Sequence, residues 1–155
     1  MSREYLAAFH NTPGPEERDE SSGMLLPRVP ESIRSSLSPR GRFIAASSTG
    51  VEIRFVTEAP GFRVTLSSLV GNVTVDVYQG GFKHSEHLLV PGSKRTLHLD
   101  QVGRFSEVPK EKLMGCFHPD VWRIVFSTHG EAVYFHGIDT FGYACRPPSE
   151  SRANY

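Results

Sequence analysis

The chain has 155 residues and carries 17 Lys and Arg against 17 Asp and Glu, so no net field draws it to nucleic acid or to an anionic membrane. This length suits one domain of ordinary size with its own hydrophobic core. With no basic cluster before an apolar run at the N-terminus, and no window of membrane-spanning length, a cytoplasmic location is expected, with neither nucleic acid nor membrane as a partner.

Residues 1–41 read as an extended, partly ordered N-terminal arm. Pro13, Pro15, Pro27, Pro30 and Pro39 interrupt it, and residues 16–22 form an acidic, polar loop with little to bury. Met24, Leu25, Leu26, Val29 and Ile33 are expected to pin the arm to the surface of the domain. Residues 31–37 can form a helical turn, which Ser38-Pro39 is expected to stop.

A β-sandwich domain is expected over residues 42–145, opening with a short strand at 42–46. Residues 50–78 organise the rest. Val51, Ile53 and Phe55 alternate with Glu52 and Arg54; Phe62, Val64 and Leu66 alternate with Arg63, Thr65 and Ser67; Val73, Val75 and Val77 alternate with Thr74, Asp76 and Tyr78. A period of two marks strands buried on one face, as in antiparallel sheets, and predicts a meander of three. Ala59-Pro60-Gly61 and Gly71-Asn72 supply the turns between them.

Gly80-Gly81 then reads as a two-residue hairpin turn, and the poor alternation of residues 82–90 predicts an edge strand. Pro91-Gly92 turns the chain into residues 95–99, where Leu97 and Leu99 face inward. Periodicity is lost over residues 100–119; Phe105, Val108, Leu113 and Phe117 are spaced to plug one end of a sandwich, around a helical turn at 110–114. Trp122, Ile124 and Phe126 share the core face of a strand at 121–127, expected to pair with residues 131–136 through Thr128-His129-Gly130. A short segment at 141–145 precedes a linker-like tail, residues 146–155, which opens with Arg146-Pro147-Pro148. About nine short strands with only scraps of helix define the fold class as all-β: an antiparallel β-sandwich of jelly-roll type, with a closed barrel as the alternative.

Chemistry is harder to place. Serine hydrolysis needs an exposed nucleophile on a tight turn beside a base, yet the chain has no Gly-x-Ser-x-Gly and no Gly-Asp-Ser. Gly92-Ser93-Lys94 lacks the upstream glycine of a phosphate loop, and His118 with Asp120 has no nucleophile to serve. His84 and His87 stand three apart on a strand, which aims them at opposite faces unless the strand bulges. The other histidines are dispersed, so neither a metal nor another cofactor is expected, and Cys116 and Cys145 read as free thiols. Asn72-Val73-Thr74 matches a glycosylation sequon, but its place at the start of a strand gives it a packing role.

A ligand or interdomain surface can be assembled from the outward residues. Arg54, Arg63, Asp76 and Tyr78 share one parity, and Tyr134 with His136 offers a second polar face; Trp122 belongs to the core. Gly137 and Gly142 frame Ile-Asp-Thr-Phe in a shaped loop, in which Asp139 either serves a ligand or caps nearby amides.

Several ordered stretches carry a resemblance: Phe9-His10-Asn11, Leu25-Leu26-Pro27-Arg28-Val29-Pro30, Gly50-Val51-Glu52-Ile53-Arg54-Phe55, Pro119-Asp120-Val121-Trp122-Arg123, Phe135-His136-Gly137-Ile138-Asp139 and Arg146-Pro147-Pro148. Together they look like the N-terminal, carbohydrate-binding-like β-sandwich of two-domain SGNH (GDSL-like) hydrolases. In that family a flavodoxin-like esterase or acyltransferase domain follows the Arg-Pro-Pro linker. Here the chain ends at Tyr155, and no catalytic residue can be carried over onto it. The resemblance therefore implies a noncatalytic accessory domain, or a truncated form, whose partner is an SGNH catalytic domain and which contacts a glycan or acyl substrate. A free-standing carbohydrate-binding module is the competing expectation, resting on Tyr78, Trp122 and Tyr134, and whether the chain is an enzyme stays open.

Overall fold

A computed structural model describes residues 6–17, 23–101, 107, 109–113 and 117–149. Its strands are β1 (Ala8–His10), β2 (Glu16–Glu17), β3 (Met24–Leu25), β4 (Glu52–Thr57), β5 (Gly61–Ser68), β6 (Val73–Gln79), β7 (Phe82–Leu89), β8 (Arg95–Asp100), β9 (Val121–Phe126), β10 (Val133–Asp139) and β11 (Cys145–Arg146). The helices are short: α1 (Glu31–Arg34), α2 (Pro39–Ala45) and α3 (Lys110–Leu113).

Two antiparallel sheets pack face to face. The first runs β1-β4-β9-β6-β7, with β11 also on β4; the second runs β2-β3-β10-β5-β8. Between them the inward residues of the alternating strands form one core, including Ile53, Phe55, Phe62, Val64, Val75, Val77, Ile124 and Phe135. Trp122, fully buried, sits at its centre, with Phe62 edge-on at 4.8 Å and Phe55 edge-on to Phe62 at 5.2 Å. Each such side chain removed from water contributes about 1.5–3 kcal/mol, which is why the period of two translates into a sandwich.

The connections differ from a meander. β4, β5 and β6 fall in alternate sheets, so each turn between them crosses the core, in the manner of a jelly roll. For the same reason the hairpin expected between residues 121–127 and 131–136 does not form: β9 lies in the first sheet beside β4 and β6, and β10 lies in the second beside β3 and β5. Strong alternation in both segments identifies a buried face but not the sheet that owns it. β6 and β7 do form the expected hairpin, with Gly80 at φ +60, and β7 is the edge of its sheet.

The strand expected at residues 42–46 is instead helix α2. Ser38 accepts a hydrogen bond from Gly41 N at 3.1 Å, and Pro39 takes the first helical position, where its missing N–H would be unsatisfied anyway. Ser38-Pro39 thus starts a helix rather than only ending one.

Parts of the arm are built into the sheets. β1 pairs with β4 and β3 with β10, Leu25 and Leu26 are buried, and Phe9 stands edge-on to Phe135 at 5.5 Å. Ile33, expected as an anchor, is exposed; its neighbour Arg34 is the buried one, at 2% exposure. Its guanidinium binds Glu16 at 2.6 Å, Glu31 at 2.6 Å and the Val29 carbonyl, which ties α1 to β2. At the other end of the chain, Arg146 still belongs to a strand, so the linker-like run begins after it. Phe105, Val108 and Cys116 lie outside the described residues.

Candidate functional site

The candidate residues divide between the two outer faces. On the first sheet, the register sets Arg54 opposite Arg123 and Arg123 opposite Tyr78, while Asp76 lies one row away, opposite Glu86. Two arginines facing each other on adjacent strands would repel, yet Glu52 joins them. Its carboxylate accepts from Arg54 Nε at 2.8 Å and, in a two-pronged pair, from Arg123 Nη2 at 2.8 Å and Nε at 3.1 Å. Burial pushes the Glu52 carboxyl upward, but the Arg123 and Arg54 guanidiniums outweigh it and hold the group below its ordinary range.

Phe117 lies against this cluster, with Arg123 3.7 Å and Arg54 5.0 Å from its ring centre, and Arg123 also stands 5.0 Å from the Tyr78 ring. This explains a departure from the alternating pattern: all six residues of β4 are buried, because its outer face is roofed as well as its inner one. Phe117 is therefore a cap on a sheet face rather than a plug in the end of the sandwich. Further along the sheet, Lys83 pairs with Asp76 at 3.0 Å and Glu86 at 2.7 Å. The structure thus brings Arg54, Asp76 and Tyr78 onto one face, as expected, but their charges are already engaged. Arg63 belongs to the other sheet.

Sequence reasoning missed Glu52 and Arg123 as the centre of the cluster. The available signal was a carboxylate and a guanidinium at outward positions of strands whose inward positions are apolar, but which strands adjoin is set by the topology.

On the second sheet, Ser67 of β5 faces Tyr134 of β10, and a bulge in β10 lets Ser67 Oγ meet His136 Nε2 at 2.8 Å. His136 Nδ1 is buried and has no partner among the described residues. The arm covers the ring so closely that a Cβ added at Gly23 would fall 2.5 Å from His136 Cε1. Burial, reinforced by the charge of Lys94, pushes the His136 imidazole down, toward its neutral form. The Ser67–His136 distance is that of a nucleophile and its base, but Ser67 stands within a regular strand rather than on a strained turn, and the ring is roofed.

Asp139, at the end of β10, binds Arg63 at 2.6 Å and accepts from Phe141 N at 2.9 Å. The Phe141 amide and then Arg63 hold its carboxyl below the usual range. Phe141 sits at φ +54 and Gly142 at φ +88, so the expected shaped loop is present, with Asp139 as its cap. Arg63 in turn lies 4.6 Å from the Phe141 ring centre. His118 Nδ1 accepts from Asp120 N at 3.2 Å, a turn contact.

Of the aromatic platforms, Trp122 is core and Tyr78 lies against Arg123, which leaves Tyr134. Burial raises the Cys145 thiol to about 11, so it is an unreactive free thiol. Among the described residues no group of three or more His, Cys, Asp or Glu is placed to hold a metal ion, and no helix is long and apolar enough to cross a membrane.

An antiparallel, all-β sandwich with charged, self-paired outer faces is the class that this geometry defines. Among solved structures, the chain is similar to the salicylyl-acyltransferase SsfX3 from a tetracycline biosynthetic pathway, with a TM-score of 0.71 and 14% identity. The match covers 94% of this chain and 40% of that one, so the chain spans well under half of the enzyme's length. A family two carbohydrate esterase from Clostridium thermocellum, solved in complex with cellohexaose, matches with a TM-score of 0.42 and 18% identity, over 67% of this chain and 29% of its own. No protein-family model matches, and no curated protein matches by sequence.

Proposed function

We propose that this chain is a noncatalytic β-sandwich module of the SGNH esterase and acyltransferase type, which works by docking on a catalytic domain and framing its substrate entrance. The observation that carries this reading is the likeness of nearly the whole chain to less than half of an acyltransferase. Two features support it. The outer polar residues are engaged with one another rather than converging on a ligand, and large apolar side chains stand exposed on α1–α2 and on the loop after β10, among them Ile33, Phe43, Ile44, Phe141 and Tyr143.

The test is to produce the chain together with, or fused to, an SGNH-type catalytic domain and to follow that domain's melting temperature and its preference among acyl donors. A rise in one or a change in the other is expected, and serine replacements at Phe43 and Ile44 or at Phe141 and Tyr143 should diminish it. No change in either property overturns the reading. A free-standing glycan-binding role predicts saturable binding that is lost on Tyr134→Ala; absence of signal on a glycan array counts against it.

A further inference from the structure

The bulge that would let His84 and His87 share one ion is present. β7 pairs Ser85 with Val77 and Lys83 with Tyr78, so His84 is the extra residue, and the regular alternation of the strand is broken there. Both histidines consequently reach the same point. Ser85 Oγ lies 2.8 Å from His84 Nδ1 and 2.9 Å from His87 Nε2.

The protons can be assigned from the partners. A carbonyl only accepts, so His84 Nε2, 2.8 Å from Asp100 O, carries the hydrogen and Nδ1 presents a lone pair toward Ser85. A ring nitrogen fixed by a backbone carbonyl on its far side is the outer-shell arrangement that orients a metal-ligating histidine. The Trp122 ring, 5.2 Å away, holds the same imidazole from another direction. His87, half-buried on the same strand, sets its Nε2 on the other side of the Ser85 hydroxyl.

We propose that His84 Nδ1 and His87 Nε2, with Ser85 Oγ and water completing the shell, form a binding site for a divalent transition metal of the zinc or copper kind. The site lies where β7 and β8, the edges of the two sheets, are bridged at both ends: His84 to Asp100 O, and Arg95 to Leu88 O. For both nitrogens to face the ion, His87 carries its hydrogen on Nδ1, and the Ser85 hydroxyl keeps its proton and turns it outward, so that an oxygen lone pair points to the metal. The chemistry selects the ion: no carboxylate is among the ligands, which disfavours calcium and magnesium, and imidazole suits zinc, copper and nickel. Arg95, the cation facing His87 from β8, opposes any ion held by charge alone.

The test uses the full, tag-free chain stripped of metal. Zinc chloride is titrated by calorimetry, and copper(II) is titrated by quenching of Trp122, the single tryptophan, which lies beside His84. Saturable zinc binding and copper quenching are expected. His87→Ala should weaken both by about tenfold or more, whereas His98→Ala, on the neighbouring strand β8 and outside the proposed shell, should leave them within a few-fold. His87 is chosen because His84 also packs on Trp122, so a loss of folding cannot mimic the result; the variant's unchanged circular dichroism secures this. Absence of saturable binding, quenching unaltered by His87→Ala, or equal loss in His98→Ala overturns the proposal.

Discussion

Glu52 is the residue on which the first sheet's outer face depends, since two guanidiniums on neighbouring strands have it as their common carboxylate. Replacing it by Gln removes the charge and leaves Arg54 and Arg123 facing each other under Phe117. The expected cost is about 3 kcal/mol or more, the scale for breaking a buried ion pair from one side, and urea unfolding followed by Trp122 fluorescence measures it. A loss below about 1 kcal/mol would show that the pair behaves as an exposed one. His136 makes the pH dependence. Its folded-state pKa is depressed by burial and by Lys94, so the unfolded chain binds more protons and the folded state loses stability as pH falls below about 6.5. His87, depressed by burial and by Arg95, acts in the same direction. Unfolding at a series of pH values should show this decline between neutral and mildly acid pH, and His136→Gln should flatten it; an equally steep profile in that variant would remove the assignment. At this scale the sequence was only half legible. Tyr78, Arg54 and Asp76 could be placed on one face by parity alone, but Glu52, Arg123, Ser67 and Gly23 gain their roles from strands and an arm brought beside them by the fold.

Among the elements, periodicity marked β4, β5, β6 and β9 because their inner residues alternate without error, and the weak alternation of β7 marked it as an edge. Pairing was not legible in the same way. A residue's parity states which face is buried, and both sheets of a sandwich bury the same kind of face, so a hairpin and a crossover between β9 and β10 have the same pattern. Short elements were also read wrongly where local capping outweighs pattern, as in α2, whose run of Arg42 to Ala45 resembles a strand until Ser38 and Pro39 are seen as its start. Ser38→Ala should therefore cost about 1 kcal/mol, read as a fall in urea midpoint, and a change within error would assign α2's stability to packing alone. Gly80 gives a second check. Its φ of +60 and the Pro119 Cα, only 2.9 Å from where a Cβ would stand, predict that Gly80→Ala destabilises the β6–β7 hairpin by about 1–3 kcal/mol. Gly92→Ala, also at positive φ but with open space around it, should cost less.

For the molecule as a whole, the decisive question is how far the sandwich depends on residues that precede its long strands. β1 completes the first sheet and β2 with β3 the second, Leu26 joins the common core with Phe9 packed against it, and Ser48 Oγ links the arm to β10 by donating to Leu26 O at 2.6 Å while accepting from Val133 N at 2.8 Å. Loss of Leu25 and Leu26 burial alone removes about 4 kcal/mol, against a total of about 5–15 kcal/mol for a domain of ordinary stability. It would also uncover an edge of β4 and of β10, with their unpaired backbone groups. A chain begun at residue 42 is thus expected to lose cooperative unfolding and the buried emission of Trp122, and to self-associate through the exposed edges. If that shorter chain instead melts within a few degrees of the whole one, residues 42–145 hold the fold by themselves and the arm is an accessory laid across a finished sandwich. For the proposed docking the two results differ as well: an arm woven into both sheets would make its α1–α2 surface a rigid platform, whereas an arm laid on a finished sandwich would leave that surface free to rearrange.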